Sequence, residues 1–114
     1  MPLTGKVAIV TGGAGYIGST TAKRLASDGA TVVVCDVDFE AAETVADEIV
    51  AGGAKASAAA TDVCSTASIE AMVAQTIDHH GHIDILVNVA GGSARERAAT
   101  VALSSEDVIR HVLE

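Results

Sequence analysis

The chain has 114 residues, 49% apolar and 19% charged, and Tyr16 and Phe39 are its only aromatic residues of the Phe, Tyr and Trp class. That length fits one compact domain over 1–114, and so few rings exclude a base-stacking nucleic-acid platform. Seven Lys and Arg against fifteen Asp and Glu give a net charge of −8, which leaves no basic stripe for a phosphate backbone or an anionic membrane surface.

The elements alternate along the chain. Lys6 to Thr11 is a short apolar run closed by Gly12 and Gly13, the pattern of a buried strand. Ile17, Thr21, Ala22, Leu25 and Ala26 then recur at helical spacing, with Gly29 as the stop. Thr31 to Cys35 is a second buried strand that ends at Asp36. Asp38 caps the next helix, whose stripe is Ala42, Val45, Ala46 and Ile49 and whose end is Gly52-Gly53. Lys55 to Thr61 is an Ala-rich third strand. Ser65 or Thr66 caps a helix carrying Ile69, Met72, Val73, Thr76 and Ile77 on one face, closed by Gly81.

Ile83 to Val89 is the fourth strand; a polar loop with Arg95, Glu96 and Arg97 follows as a solvated face. Ser104 or Ser105 opens a last helix through Val108, Ile109, Val112 and Leu113. Apolar strands separated by helices imply an α/β fold with a parallel sheet, right-handed crossovers and helices on both faces. The expected strand order is 3-2-1-4.

No apolar run approaches the ~18 residues of a membrane span, and Met1 to Lys6 lacks the pattern of a signal peptide. Cys35 and Cys64 are too few for a disulfide scaffold; two buried, free thiols suit a cytoplasmic location. His79, His80 and His82 cluster at a helix end. Adjacent helical residues diverge, so no metal site is expected there.

The stretch Thr11-Gly12-Gly13-Ala14-Gly15-Tyr16-Ile17-Gly18 lies where the first strand turns into the first helix. A pyrophosphate there needs a tight turn, close backbone N–H groups and a helix N-terminus facing the anion. Glycine meets the first two needs because it lacks a Cβ. The amides from Gly12 to Gly18 are expected to form that cradle, with Gly18 letting the helix approach the sheet. Asp36, at the tip of the second strand, is placed to accept from the adenosine ribose hydroxyls and to repel a 2′-phosphate. Val37, Asp38 and Phe39 follow it, with no Arg nearby. The expectation is NAD rather than NADP, and Asp36 is expected to be free because Asp38 serves as the helix cap.

With these pieces in order, the sequence resembles the short-chain dehydrogenase/reductase family, from about Lys6 to the end. The matching stretches are Thr11 to Gly18, Asp36, Asp62-Val63 and Gly81 to Gly91. The resemblance implies a Rossmann-type doubly wound parallel sheet, truncated to about four strands. It implies that Asp62 and Val63 flank the adenine, that Asn88, Ala90 and Gly91 line the cofactor, and that Asn88 ties its strand to the neighbour. The T-G-x-x-G-x-x-G spacing with Tyr16 is similar to the extended, epimerase-type branch, whereas Ile83 to Gly91 is similar to the dehydrogenase branch. Val89 replaces the second Asn of the family's Asn-Asn-Ala-Gly, which removes one polar tie.

The family's reaction uses a Tyr with a Lys four residues later, plus a Ser and an Asn. Here the only Tyr is Tyr16, with Thr20 four residues on, and no Lys follows Lys55. No catalytic residue is therefore expected, and the chain resembles the cofactor-binding half of such an enzyme. The expected activity of the whole family protein is NAD-dependent hydride transfer to or from a small-molecule alcohol or carbonyl. The alternatives are a non-catalytic dinucleotide-binding module and an extended-type nucleotide-sugar epimerase or dehydratase. An apolar fourth strand at a sheet edge further implies a homo-oligomer.

Overall fold

A computed structural model describes residues 1–89. Ala90, Gly91, the polar loop and the final helix expected after it lie outside the described residues. The order is β1 (Val7–Thr11), α1 (Tyr16–Ser27), β2 (Thr31–Asp36), α2 (Phe39–Ala51), β3 (Lys55–Ala60), α3 (Thr66–His80) and β4 (Ile85–Asn88). All pairings are parallel. The sheet runs β3-β2-β1-β4, the order the alternation of strands and helices implies.

The two central strands are apolar on both faces, and their alternation divides the core. Ala8 and Val10 of β1 and Val32 and Val34 of β2 face α1 and α2, where they meet Ala22, Ala26, Ala42, Val45, Ala46 and Ile49. Ile9, Val33 and Cys35 face the other way and pack on Ile69, Met72 and Val73 of α3. A period of two on a strand with helices on both sides produces this split. The stripe expected for α2 is the buried one, and Asp38 caps it by accepting from the Ala41 N–H at 3.1 Å. Ser65, rather than Thr66, caps α3 through the Ser68 N–H.

Two helical faces differ from the periodic reading. In α1 the buried residues are Gly18, Ala22 and Ala26, and Ile17 is 66% exposed. Small residues at that spacing let the helix lie close to the sheet, so its contact line runs through Gly18 and turns Ile17 outward. In α3 the buried set is Ile69, Met72, Val73 and Thr76, and Ile77 lies outside it. Cys64 is exposed, against the expectation of two buried thiols, because it follows β3 in a connection rather than lying on a strand; both cysteines are free.

The fourth strand is shorter than the apolar run that predicts it. Asp84 precedes it and bridges to β1: its backbone N–H donates to the Val7 carbonyl and its carboxylate accepts the Val7 N–H at 2.8 Å. The ladder then runs from Ala8 opposite Ile85 to Thr11 opposite Asn88.

Candidate functional site

The amides of the turn between β1 and α1 bond partly within the turn and partly to the tip of β2. The Gly13 N–H donates to the Cys35 carbonyl at 2.9 Å and the Gly15 N–H to the Gly12 carbonyl at 3.2 Å. The Ala14 N–H donates to Asp36 Oδ2 at 3.1 Å. Three of the amides expected in the cradle are thus already bonded. The N–H groups of Tyr16, Ile17 and Gly18 open α1, and no acceptor for them occurs among the described residues. Gly15, the N-cap residue, offers no side-chain cap. Of the amides expected in the cradle, those of Gly12 and of the first helical turn thus have no acceptor among the described residues, and the first turn is the positive end of the helix macrodipole.

The glycines of the turn have different causes. A Cβ on Gly18 would run into the Gly12 carbonyl and the Gly13 backbone. Gly18 thus makes room for the turn's own backbone where it leaves β1. Gly12 has φ +64, and a Cβ there would sit 2.5 Å from the Val89 carbonyl oxygen. At Gly15 the space is open: φ is −74, and an added Cβ would meet only the Gly12 carbonyl oxygen at 3.6 Å. Nothing in the described fold requires glycine at Gly15. A ligand lying close against the backbone does require it. The bonding pattern and the bare Gly15 fit a dinucleotide's pyrophosphate.

Asp36 is not free. Besides Ala14, it accepts the Asp38 N–H on Oδ1 at 3.1 Å. It stands at the C-terminal end of β2, where the crevice of a doubly wound sheet takes a ligand. Asp62 follows β3; its Oδ1 accepts the Cys64 N–H at 2.9 Å, and its own N–H donates to Ser68 Oγ. Val63 is half-buried beside it. Asn88 ends β4, and its Oδ1 accepts the Thr11 hydroxyl at 2.5 Å. That bond fixes the tips of β1 and β4 next to the turn. Val89, in place of an Asn, keeps a backbone tie by donating to the Thr11 carbonyl at 3.3 Å. The turn, Asp36, Asp62-Val63 and Asn88 all lie at the C-terminal ends of the parallel strands.

A family model described as short chain dehydrogenase matches residues 6–114. The chain belongs to the short-chain dehydrogenase family. It is 42% identical over 106 residues to the (2S)-[(R)-hydroxy(phenyl)methyl]succinyl-CoA dehydrogenase subunit BbsD of Thauera aromatica, over 93% of this chain and 42% of that protein. A crystal structure of hydroxysteroid dehydrogenase from Escherichia coli matches with a TM-score of 0.89 at 36% identity, over 96% of this chain and 52% of that one. A putative D-mannonate oxidoreductase from Haemophilus influenza with bound NAD matches at 0.77 and 39%, over 82% and 34%. A metagenomic short-chain oxidoreductase in complex with NADP matches at 0.79 and 33%, over 91% and 51%. The chain spans less than half the length of its curated relative.

In this short-chain dehydrogenase chain the histidines diverge. His79 Nδ1 lies 2.8 Å from the Gln75 carbonyl of its own helix. His82 Nε2 lies 3.0 Å from the Gly5 carbonyl and 3.0 Å from Asp84 Oδ2, at the opposite end of the sheet from the turn. Among the described residues no three potential ligands gather as a metal site, and no helix is long and apolar enough to cross a membrane. The Thr11 to Asn88 hydrogen bond is the strand-to-strand tie that the resemblance implies for Asn88, and the structure names Thr11 as its partner. The Asp36 to Ala14 bond joins residues 22 apart and escaped the sequence reading, because that spacing carries no local signal.

Proposed function

We propose that this chain forms the NAD-binding half of a short-chain dehydrogenase that interconverts a small-molecule alcohol and its carbonyl. The observation that carries the reading is the open α1 terminus beside Gly15, with Asp36 at the neighbouring strand tip. Tyr16, Ile17 and Gly18 would donate to the pyrophosphate, and Asp36 would accept from the adenosine ribose hydroxyls. Asp62 and Val63 would border the adenine, and Asn88, Ala90 and Gly91 would line the path beyond β4. The bonds made by the Gly13, Ala14 and Gly15 amides would hold this arrangement before the ligand arrives. The bound nicotinamide supplies the hydride acceptor or donor.

Relatives of similar likeness carry NAD or NADP, so the choice between them rests on residues. The Asp36 carboxylate opposes a 2′-phosphate, and the residues after it, Val37-Asp38-Phe39, bring no cation. Proton transfer at the substrate needs a group within hydrogen-bond reach. This sequence holds no Tyr-x-x-x-Lys pair, so the chain by itself is proposed to bind cofactor without turning over an alcohol. A cytoplasmic location and self-association through the apolar β4 belong to the same proposal.

Calorimetric titration of the chain with NAD, NADP and ATP, repeated on Asp36→Ala, tests the reading. The expected result is NAD binding several-fold tighter than NADP, with the preference lost in the variant. Tighter NADP binding by the unaltered chain would refute the cofactor choice, and no binding of either would refute the function.

A further inference from the structure

Asp36 has more to hold than a ribose. It is half-buried at the end of β2, and each carboxylate oxygen already accepts one backbone N–H. Oδ2 takes Ala14 and Oδ1 takes Asp38, both at 3.1 Å. The neighbouring turn amides have backbone acceptors: Gly13 bonds to Cys35, and Gly15 to Gly12. Ala14 is thus the point where the shape of this turn depends on a side chain, and that side chain comes from a different strand. A carboxylate has about four lone-pair directions, so two occupied directions leave two for a vicinal diol.

We infer that Asp36 is a positioning residue for the phosphate-binding turn as well as the acceptor for the adenosine ribose. By holding the Ala14 N–H it fixes the turn that precedes Gly15, and so the direction in which the Tyr16, Ile17 and Gly18 N–H groups point. The sites for ribose and pyrophosphate are then coupled through one carboxylate. A ligand with no ribose hydroxyls still benefits from Asp36, through the turn. Asn is the informative replacement. It keeps the volume and one oxygen acceptor, but sets an NH₂ donor against one of the two N–H groups. The inference rests on the proposed dinucleotide site, and its test separates the two.

The first arm needs no cofactor. Amide hydrogen exchange at Ala14 is read by NMR on the 114-residue chain and on Asp36→Asn. Exchange at Ala14 is expected to speed up by roughly 10-fold, the worth of one charge-assisted hydrogen bond. Exchange at Gly13, bonded to the Cys35 carbonyl, stays as it was and reports that the fold is intact. The second arm titrates both proteins with an NAD analogue whose adenosine ribose lacks the 2′ and 3′ hydroxyls. Asp36→Asn is expected to weaken this analogue by roughly 3- to 10-fold, through the turn alone. Equal affinity of the two proteins for the analogue, or unchanged exchange at Ala14, overturns the inference. Failure of the unaltered chain to bind NAD overturns the proposed function instead, and the Ala14 exchange then decides the positioning role by itself.

Discussion

Gly15 and Gly18 occupy the same turn, and the structure gives them opposite duties. Gly18 is a packing residue, because a Cβ there collides with the backbone of Gly12 and Gly13. Gly15 has open space beside it and an unremarkable φ of −74. Gly18→Ala is therefore expected to destabilise the fold by about 1–3 kcal/mol, the range for overpacking. Gly15→Ala is expected to shift stability by less than about 1 kcal/mol, as a change of N-cap residue, and to weaken NAD binding at least 10-fold. Urea denaturation and calorimetric titration of both variants check the pair. Strong binding by Gly15→Ala would mean that no ligand backbone contact occurs there.

The strands show what a residue's face decides. β2 puts Val32 and Val34 toward α1 and α2, and Val33 and Cys35 toward α3. The Cys35 thiol is fully enclosed. Burial pushes it up from 9.0 to about 12; the Thr61 hydroxyl pulls the other way, and the nearby Asp36 carboxylate adds to the rise. A buried acid held neutral gives a definite sign. Below pH 9 both folded and unfolded chains keep the proton, and the full stability is present. Between 9 and 12 the unfolded chain releases it and the folded chain does not, so stability falls as pH rises. The slope approaches about 1.4 kcal/mol per pH unit for one thiol. Urea midpoints at pH 8 and pH 10 are expected to drop less for Cys35→Ala than for the unaltered chain. Equal drops would mean that water reaches the thiol in the folded state.

At the scale of the molecule, β4 is an outer strand of the described sheet. Ile85, Leu86, Val87 and Asn88 are each half-buried there, although Ile85 and Val87 pack on one core and Leu86 on the other. An apolar strand with one unpaired edge is a template for a second chain. The chain alone is expected to dimerise or aggregate, and its sedimentation coefficient is expected to rise with concentration in the micromolar range. A concentration-independent monomer would show that this edge is covered. β3, the other outer strand of the described sheet, pairs with β2, and its alanines make a narrow strand with Lys55 at its start.

The sequence alone determined the architecture: apolar runs bounded by glycine, stripes at helical spacing and caps such as Asp38 are local signals, and local backbone preferences act on them directly. It also determined the glycine-rich turn and the acid at the next strand tip, because both are patterns of particular residues at consecutive positions beside a strand end. The tertiary structure decided which amides stay available, that Asp36 is engaged by Ala14, that Thr11 locks to Asn88, and that Ile17 faces outward. Those outcomes depend on strands meeting side by side across long separations, and on how closely a helix of small residues settles on the sheet. No window of neighbouring residues holds that information.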